Sequence, residues 1–124
     1  IPAFLMTFNL LLLNEFPDEE ADRKGGRRNL VLLLGRRTAA MIYAVAAIAT
    51  PISIAVSVTI GWLPAPALLG ALPSLLLARP LQWAAGDTRQ PVPIPALGAN
   101  VAWNLASNTA IAVGLVAAVL MRSG

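Results

Sequence analysis

Long apolar runs, separated by short polar segments, are the main feature of this chain. No charged residue occurs from Thr38 to Ala78, which is long enough for two membrane-spanning helices of about 20 residues each. Glycine and prolines in GWLPAP, residues 61–66, divide this run because both residue types mark turns. The pattern therefore predicts one helix over about 38–62 and another over about 66–85.

The two ends of the chain predict two further helices. Residues 1–13 are apolar but too few to span a membrane, and a polar segment follows them. We therefore expect a first helix over about 1–22 that begins further upstream, as in the C-terminal part of a longer protein. A polar, proline-rich loop at 85–95 precedes a last apolar run, which predicts a helix over about 96–121.

Composition indicates that these helices lie in a membrane. Hydrophobic residues make up 57% of the 124 residues and charged residues 12%, about half the charged share of a soluble domain. We therefore expect an all-α membrane protein, with residues 1–124 as the C-terminal part of one multi-helix transmembrane domain. It would contain the end of one helix, an Asp-rich cytoplasmic segment and three transmembrane helices.

The basic residues predict the orientation in the membrane. Six of the nine lysines and arginines lie between residues 23 and 37, whereas the turn at 61–66 has none. Because basic loops stay on the cytoplasmic side, this region and the adjoining Asp-rich segment are expected there. The same argument assigns Arg36 and Arg37 to topology or to contacts with anionic lipid. Nucleic-acid binding is not expected, since no aromatic residues interleave with the bases.

The absence of two residue types limits the chemistry. The chain has no cysteine and no histidine, which excludes thiolate or imidazole metal ligands and Ser-His catalytic groups within it. A metal ion bound here would have only oxygen ligands, which favours Mg²⁺ or a similar hard ion.

Acidic residues are followed directly by basic residues in the polar segment. Asn14, Asp18 and Asp22 recur every four residues, so on a helix they share one face. Two carboxylates one turn apart can share Mg²⁺, which takes its other ligands from water and phosphate, and the bases behind them can bind phosphate oxygens. A solvated loop of acid–base pairs is the alternative, and Pro17 is able to kink the helix at this point.

The segment NEFPDEEADRKGGRRNLVLLLG, residues 14–35, resembles the second of two Asp-rich motifs in the UbiA superfamily of intramembrane prenyltransferases. Three predicted helices follow it, as in that family. Asn14 and the sequence PALGANVAWNL at 95–105 are similar to the 1,4-dihydroxy-2-naphthoate prenyltransferase branch, which serves menaquinone synthesis. Glu15 and Asn29 depart from the family pattern, where Asp or Asn and Thr are common.

The resemblance implies Mg²⁺-dependent transfer of a prenyl group from a prenyl diphosphate to an aromatic acceptor, in a bacterial or archaeal cell membrane. Asp18 and Asp22 would be catalytic and bind the metal. The residues implied for the diphosphate are Asn14, Lys24, Arg27 and Arg28. Because only the second motif is present, residues 1–124 alone are expected to have no turnover.

A second polar stripe lies on the last predicted helix, where Asn100, Asn104 and Asn108 also recur every four residues. Such residues either form hydrogen bonds between helices or line a site, in which case Asn104 and Asn108 would border the acceptor pocket. A different class of function also fits the sequence: a non-enzymatic membrane subunit or transporter whose charged cytoplasmic loop docks a partner.

Overall fold

The computed structural model describes residues 1–123, and within them the fold is helical without any β-strand. The elements in chain order are α1 (Pro2–Lys24), α2 (Leu30–Leu34), α3 (Arg36–Thr59), a 3₁₀ helix (Ala65–Leu77), α4 (Ala78–Ala85) and α5 (Ile94–Ser123). The predicted all-α fold is confirmed.

The first helix, α1, continues through most of the charged segment. Pro17 lies inside it without ending it. The helix ends at two glycines, and Gly26 has a φ of +71°, a conformation that costs glycine little. All five acids of the segment therefore project from a regular helix, and the helical twist decides where each one points.

Two helices have the length and composition of membrane spans. They are α3, with 24 residues, and α5, with 30. Pro51 lies inside α3, where the Thr50 hydroxyl donates to the carbonyl of Ala46 at 2.9 Å. Exposed apolar side chains such as Val45 and Ile52 line the outer side of α3, as expected of a surface that faces lipid.

The helix predicted over about 66–85 differs in the structure, which has the 3₁₀ helix followed by the short helix α4. Pro66 and Pro73 each remove a backbone N–H donor from the first piece. A 3₁₀ helix rises about 2.0 Å per residue and an α-helix about 1.5 Å, so the two pieces end to end reach about 38 Å. This segment therefore has the length to cross a hydrocarbon core of about 30 Å without being one continuous α-helix.

Close packing against α5 accompanies the 3₁₀ geometry. A Cβ atom on Gly114 would lie 2.5 Å from the carbonyl oxygen of Pro66, and Gly70 packs in the same way against Ile111. Small residues at such contacts let two helix backbones approach each other in a membrane protein. The indole N–H of Trp103 donates to the Ser74 hydroxyl at 3.3 Å across the same contact.

The core lies between α1, α3 and α5, and a polar bridge crosses it. The Tyr43 hydroxyl donates to Oδ1 of Asn100 at 2.9 Å, and Nδ2 of Asn100 donates to the backbone carbonyl of Asn9 at 3.3 Å. Met6 and Trp103 are fully buried around it. These contacts fix the apolar half of α1 against the rest of the chain and leave its charged half to a second set of contacts.

Candidate active site

Four of the five acids of α1 project in three directions, because successive helix residues turn by about 100°; the fifth, Glu20, is exposed and paired with Lys24. Asn14 and Asp18 share an exposed face. Asp22 lies at the edge of this face, about 40° further round the helix, and together with Glu15 on a second face it is directed at α2 and the residue before it. Glu19 lies on a third face, directed at the start of α3. Each face has a different set of neighbours, so each acid has a different chemical role.

The first face is open. Asn14 and Asp18 are both exposed, at the end of a run of apolar α1 residues that includes Leu11, also exposed. Among residues 1–123 the Asp18 carboxylate forms no ion pair, whereas Glu19, Glu20 and Asp22 all do. Asp18 therefore keeps all its acceptor positions for a ligand.

The second face holds the short helix α2. Oε2 of Glu15 accepts from the backbone N–H groups of Leu30 at 2.8 Å and Val31 at 3.3 Å. Oδ1 of Asn29 caps the same helix by accepting from the Leu32 N–H at 2.8 Å, and Nδ2 of Asn29 donates to Oδ2 of Asp22 at 2.9 Å. Free N–H groups at a helix start favour such acceptors, especially a carboxylate. Asp22 thus connects the open face to the loop before α2.

The third face is bonded to two arginines. Glu19 accepts from Arg23 through Oε1 at 2.9 Å and from Arg36 through Oε2 at 2.8 Å. The Arg36 guanidinium also lies over the Phe16 ring, 5.3 Å from its centroid. Sequence reasoning assigned Arg36 to topology or lipid, whereas the structure engages its side chain inside the protein.

A cavity of about 590 Å³ adjoins this third face, between the charged end of α1 and the loop before α5. Glu19, Arg23, Arg36 and Arg89 line it, with Phe16 on its apolar side. The cavity lies on a different face of α1 from Asp18.

The loop between α4 and α5 carries its own ion pair. Nε of Arg89 donates to Oδ1 of Asp87 at 2.8 Å, and this hydrogen bond lowers the pKa of the Asp87 carboxyl below its ordinary value. Asp87 therefore stays ionised and paired within its loop.

The four residues predicted to bind diphosphate lie at or near this end of α1, but not on one face. Nη1 of Arg27 is 3.8 Å from Oδ1 of Asp22, and Arg28 is exposed beside it. Nζ of Lys24 is instead paired with Oε1 of Glu20 at 2.7 Å, and both of these side chains are largely exposed. Exposed pairs of this kind contribute little and exchange readily. Arg27 is thus the base that the structure places nearest to the aspartates.

The asparagines of α5 divide into two groups. Asn100 forms the bridge between helices, which is the structural alternative that the sequence offered. Asn104 is buried and Asn108 is exposed, and Nδ2 of Asn108 donates to the Asn104 carbonyl at 2.9 Å. Nδ2 of Asn104 and the Ser107 hydroxyl are buried without a hydrogen-bond partner in the described chain. A role for Asn104 and Asn108 in an acceptor pocket stays a prediction.

The donor set fits one half of a magnesium site. Within residues 1–123, no group of three or more His, Cys, Asp or Glu side chains is placed to hold a metal ion. Asp18 and Asp22 lie one helical turn apart, Asp18 is unpaired, and Asp22 accepts one short hydrogen bond. Mg²⁺ usually takes one or two carboxylates and completes its octahedron with water and substrate phosphates.

Comparison with known families shows which family the chain belongs to. Residues 1–104 match the UbiA prenyltransferase family. The chain belongs to this family. Its members are intramembrane prenyltransferases, which use prenyl diphosphates and aromatic acceptors, and the matched range includes the whole charged segment. The chain matches no curated protein and no solved structure.

Sequence reasoning missed the contacts of three residues near this site, although each left a signal. Arg36 and Arg37 are the first two residues of α3, where positive charge opposes the helix dipole. Nη1 of Arg37 accordingly donates to the carbonyls of Ala84 at 3.3 Å and Gly86 at 3.2 Å. Glu15 gave a weaker signal, since only the fold brings it to Leu30, fifteen residues later.

Proposed function

We propose that this chain carries the second Asp-rich half-site of a Mg²⁺-dependent enzyme that transfers a prenyl group from a polyprenyl diphosphate to an aromatic acceptor. The family match supports prenyl transfer in general. The observation that carries the finer proposal is Asp18, an exposed carboxylate without an ion-pair partner among residues 1–123, on a helix whose other acids are engaged.

Asp18 and Asp22 would hold the magnesium ion. Asp22 has the more ordered carboxylate, because Asn29 donates to one of its oxygens, and a fixed orientation raises the affinity of a ligand for a metal. Bound Mg²⁺ neutralises the charge on a diphosphate and so makes it a better leaving group. Asn14 would support the site from one turn earlier on the same face.

The bases after the aspartates would bind the diphosphate oxygens. Arg27 lies beside Asp22 and Arg28 is the next, exposed residue of the same loop, and Lys24 would exchange its exposed pair with Glu20 for a phosphate oxygen. Bonds between guanidinium groups and phosphate are charge-assisted and often bidentate. In this proposal the acids that come first in the segment bind the metal ion, and the bases that follow them bind the diphosphate.

The reaction would begin with cleavage of the bond between the allylic carbon and the diphosphate oxygen, whose electron pair leaves with the diphosphate. A carbon of the electron-rich aromatic acceptor then attacks the allylic cation, and loss of its proton restores the aromatic ring. The helices would keep water from the cation, which prevents hydrolysis.

We further propose that the acceptor is a quinone precursor of the menaquinone type or a related one. The resemblance of Asn14 and of residues 95–105 to that branch supports this assignment. Asn104 and Asn108 would border the acceptor, and the basic residues favour a cytoplasmic orientation of the Asp-rich segment in a bacterial or archaeal membrane.

A product assay on the full-length protein in lipid nanodiscs tests the proposal. We expect a prenylated product from one member of an acceptor panel that includes 1,4-dihydroxy-2-naphthoate, with either a proton or, at a carboxyl-bearing carbon, CO₂ lost from the ring. Chelation of Mg²⁺ should abolish the product, and its return should restore it. No product from any pair of acceptor and prenyl diphosphate would instead favour the non-enzymatic docking subunit.

A further inference from the structure

We infer that Arg36 is a positioning residue that fixes the rotation of α1 about its own axis and so directs Asp18 toward the substrate. This inference rests on the proposed function. Arg36 itself lies on the Glu19 side of α1 and makes no contact with the open face of that helix.

Arg36 bonds to α1 at two points. Its Nη1 donates to Oε2 of Glu19 at 2.8 Å, and its guanidinium covers the Phe16 ring. Phe16 and Glu19 lie on either side of Asp18 in the sequence. The side chain of Phe16 leaves the helix nearly opposite to that of Asp18, and the side chain of Glu19 leaves it at about a right angle to that of Asp18. A contact at both therefore restrains rotation as well as distance.

The same side chain is bonded to a second body, the loop between α4 and α5. Nε of Arg36 donates to the carbonyl of Thr88, and Nη2 donates to the carbonyl of Gln90 at 3.0 Å. The indole N–H of Trp83 donates to that same Gln90 carbonyl at 3.2 Å, while its ring packs edge-on against Phe16 with centroids 4.8 Å apart. Arg36 and Trp83 thus link α1 to one shared point of the loop.

An arginine suits this position because it has five N–H donors in a rigid planar fork. Arg36 uses three of its nitrogens for three acceptors, on Glu19, Thr88 and Gln90. A lysine would keep the charge opposite Glu19 but has no planar fork to reach both carbonyls. The side chains of Glu19 and Arg36 are mostly buried, with 20% and 24% of their surface exposed, so water competes for this pair less than for the exposed ones.

Rotation matters because side-chain tips lie far from the helix axis. With a helix radius of about 6 Å including side chains, a rotation of about 20° moves the Asp18 carboxylate by about 2 Å. A misplacement of about 1 Å at a catalytic group lowers the rate by about a hundredfold. A small rotation of α1 would therefore separate Asp18 from the metal without unfolding the helix.

Arg37 provides a matched control. It is the next residue, has the same side chain and bonds to backbone carbonyls, but these belong to the end of α4 and not to α1. Loss of Arg37 is expected to reduce stability and to leave the rotation of α1 unchanged.

The test compares Arg36→Gln, Arg36→Lys and Arg37→Gln in the full-length protein. The readouts are Mg²⁺-dependent binding of geranyl thiodiphosphate by calorimetry, the thermal unfolding midpoint, and hydrogen exchange over residues 14–24. For Arg36→Gln we expect binding about tenfold weaker, as for other residues that orient metal ligands, with faster exchange in α1. Arg36→Lys should lie between this variant and the wild type.

Arg37→Gln should bind the analogue within about twofold of the wild type, even though its midpoint falls. Unchanged affinity and exchange in Arg36→Gln, or equal losses of affinity in Arg36→Gln and Arg37→Gln, would overturn the inference. If the wild type makes no product, the proposed function fails. Faster α1 exchange in Arg36→Gln alone would then still support its control of α1.

Discussion

Asp18 and Glu19 are neighbours in the sequence and carry the same charge, yet their surroundings are opposite. Asp18 is exposed and has no ion-pair partner among residues 1–123. Glu19 is bonded to Arg23 on one side and to Arg36 on the other. Because the two side chains leave the helix about 100° apart, Asp18 is free to bind a ligand, whereas Glu19 links α1 to the start of α3.

The comparison teaches that partners, and not residue type, assign roles within an acidic cluster. A carboxylate between two guanidinium groups is already neutralised, so a metal ion would have to displace them. A carboxylate without a partner offers all its lone pairs and gains most from a cation. Replacement of one acid at a time shows whether that acid is free for a ligand or engaged in the fold.

Asp22 is both a proposed metal ligand and a hydrogen-bond acceptor within the fold, so its loss should have the largest effect. Asp22→Ala removes a proposed metal ligand and also the acceptor of the Asn29 amide. We expect prenyl transfer to fall by about a hundredfold or more, together with faster hydrogen exchange over residues 30–34. If activity falls while exchange in α2 stays at the wild-type rate, the structural half of the role assigned to Asp22 is wrong.

Glu15 should show an intermediate effect, confined to structure. Glu15→Gln leaves the shape of the side chain but removes the charge that faces the start of α2. We expect a loss of about 1 kcal/mol in the local stability of α2, and hence roughly fivefold faster exchange of the Leu30 and Val31 amides. An equally fast change at α3 amides would show that the contact is not local.

Glu20 should show the smallest effect. Its only ion pair among residues 1–123 is with Lys24, and the two side chains are 80% and 76% exposed. Exposed helix pairs of this kind contribute at most about 0.5 kcal/mol. Glu20→Gln should therefore keep the wild-type unfolding midpoint and prenyl-transfer rate. A large loss of activity would show that Glu20 takes part in ligand binding or catalysis.

The sequence predicted the open face of α1 because helical spacing is a local property. Asn14 and Asp18 share that face in the structure, as their spacing of four indicates. The direction of Asp22 followed less simply, since it depends on the loop that ends in Asn29. One partner of Glu19 is Arg36, seventeen residues later, and a contact over this distance in the sequence arises only from tertiary packing.

The third apolar segment shows the same limit on a larger scale. Its hydrophobicity and length predicted one helix over about 66–85. In the structure the first thirteen residues form a 3₁₀ helix packed against α5. That packing depends on Gly114 meeting the Pro66 backbone, a contact between distant residues that spacing within the segment does not reveal.

The most direct test of the role proposed for Asp18 compares Asp18→Asn with Glu20→Gln in a Mg²⁺-dependent prenyl-transfer assay on the full-length protein. Both variants remove one exposed negative charge from the same helix, so they differ in position rather than in chemistry. The predicted result is a loss of about a hundredfold or more in kcat/KM for Asp18→Asn, with an unchanged unfolding midpoint and a wild-type rate for Glu20→Gln. Equal, near-wild-type rates for the two variants would contradict the assignment of Asp18 to the metal.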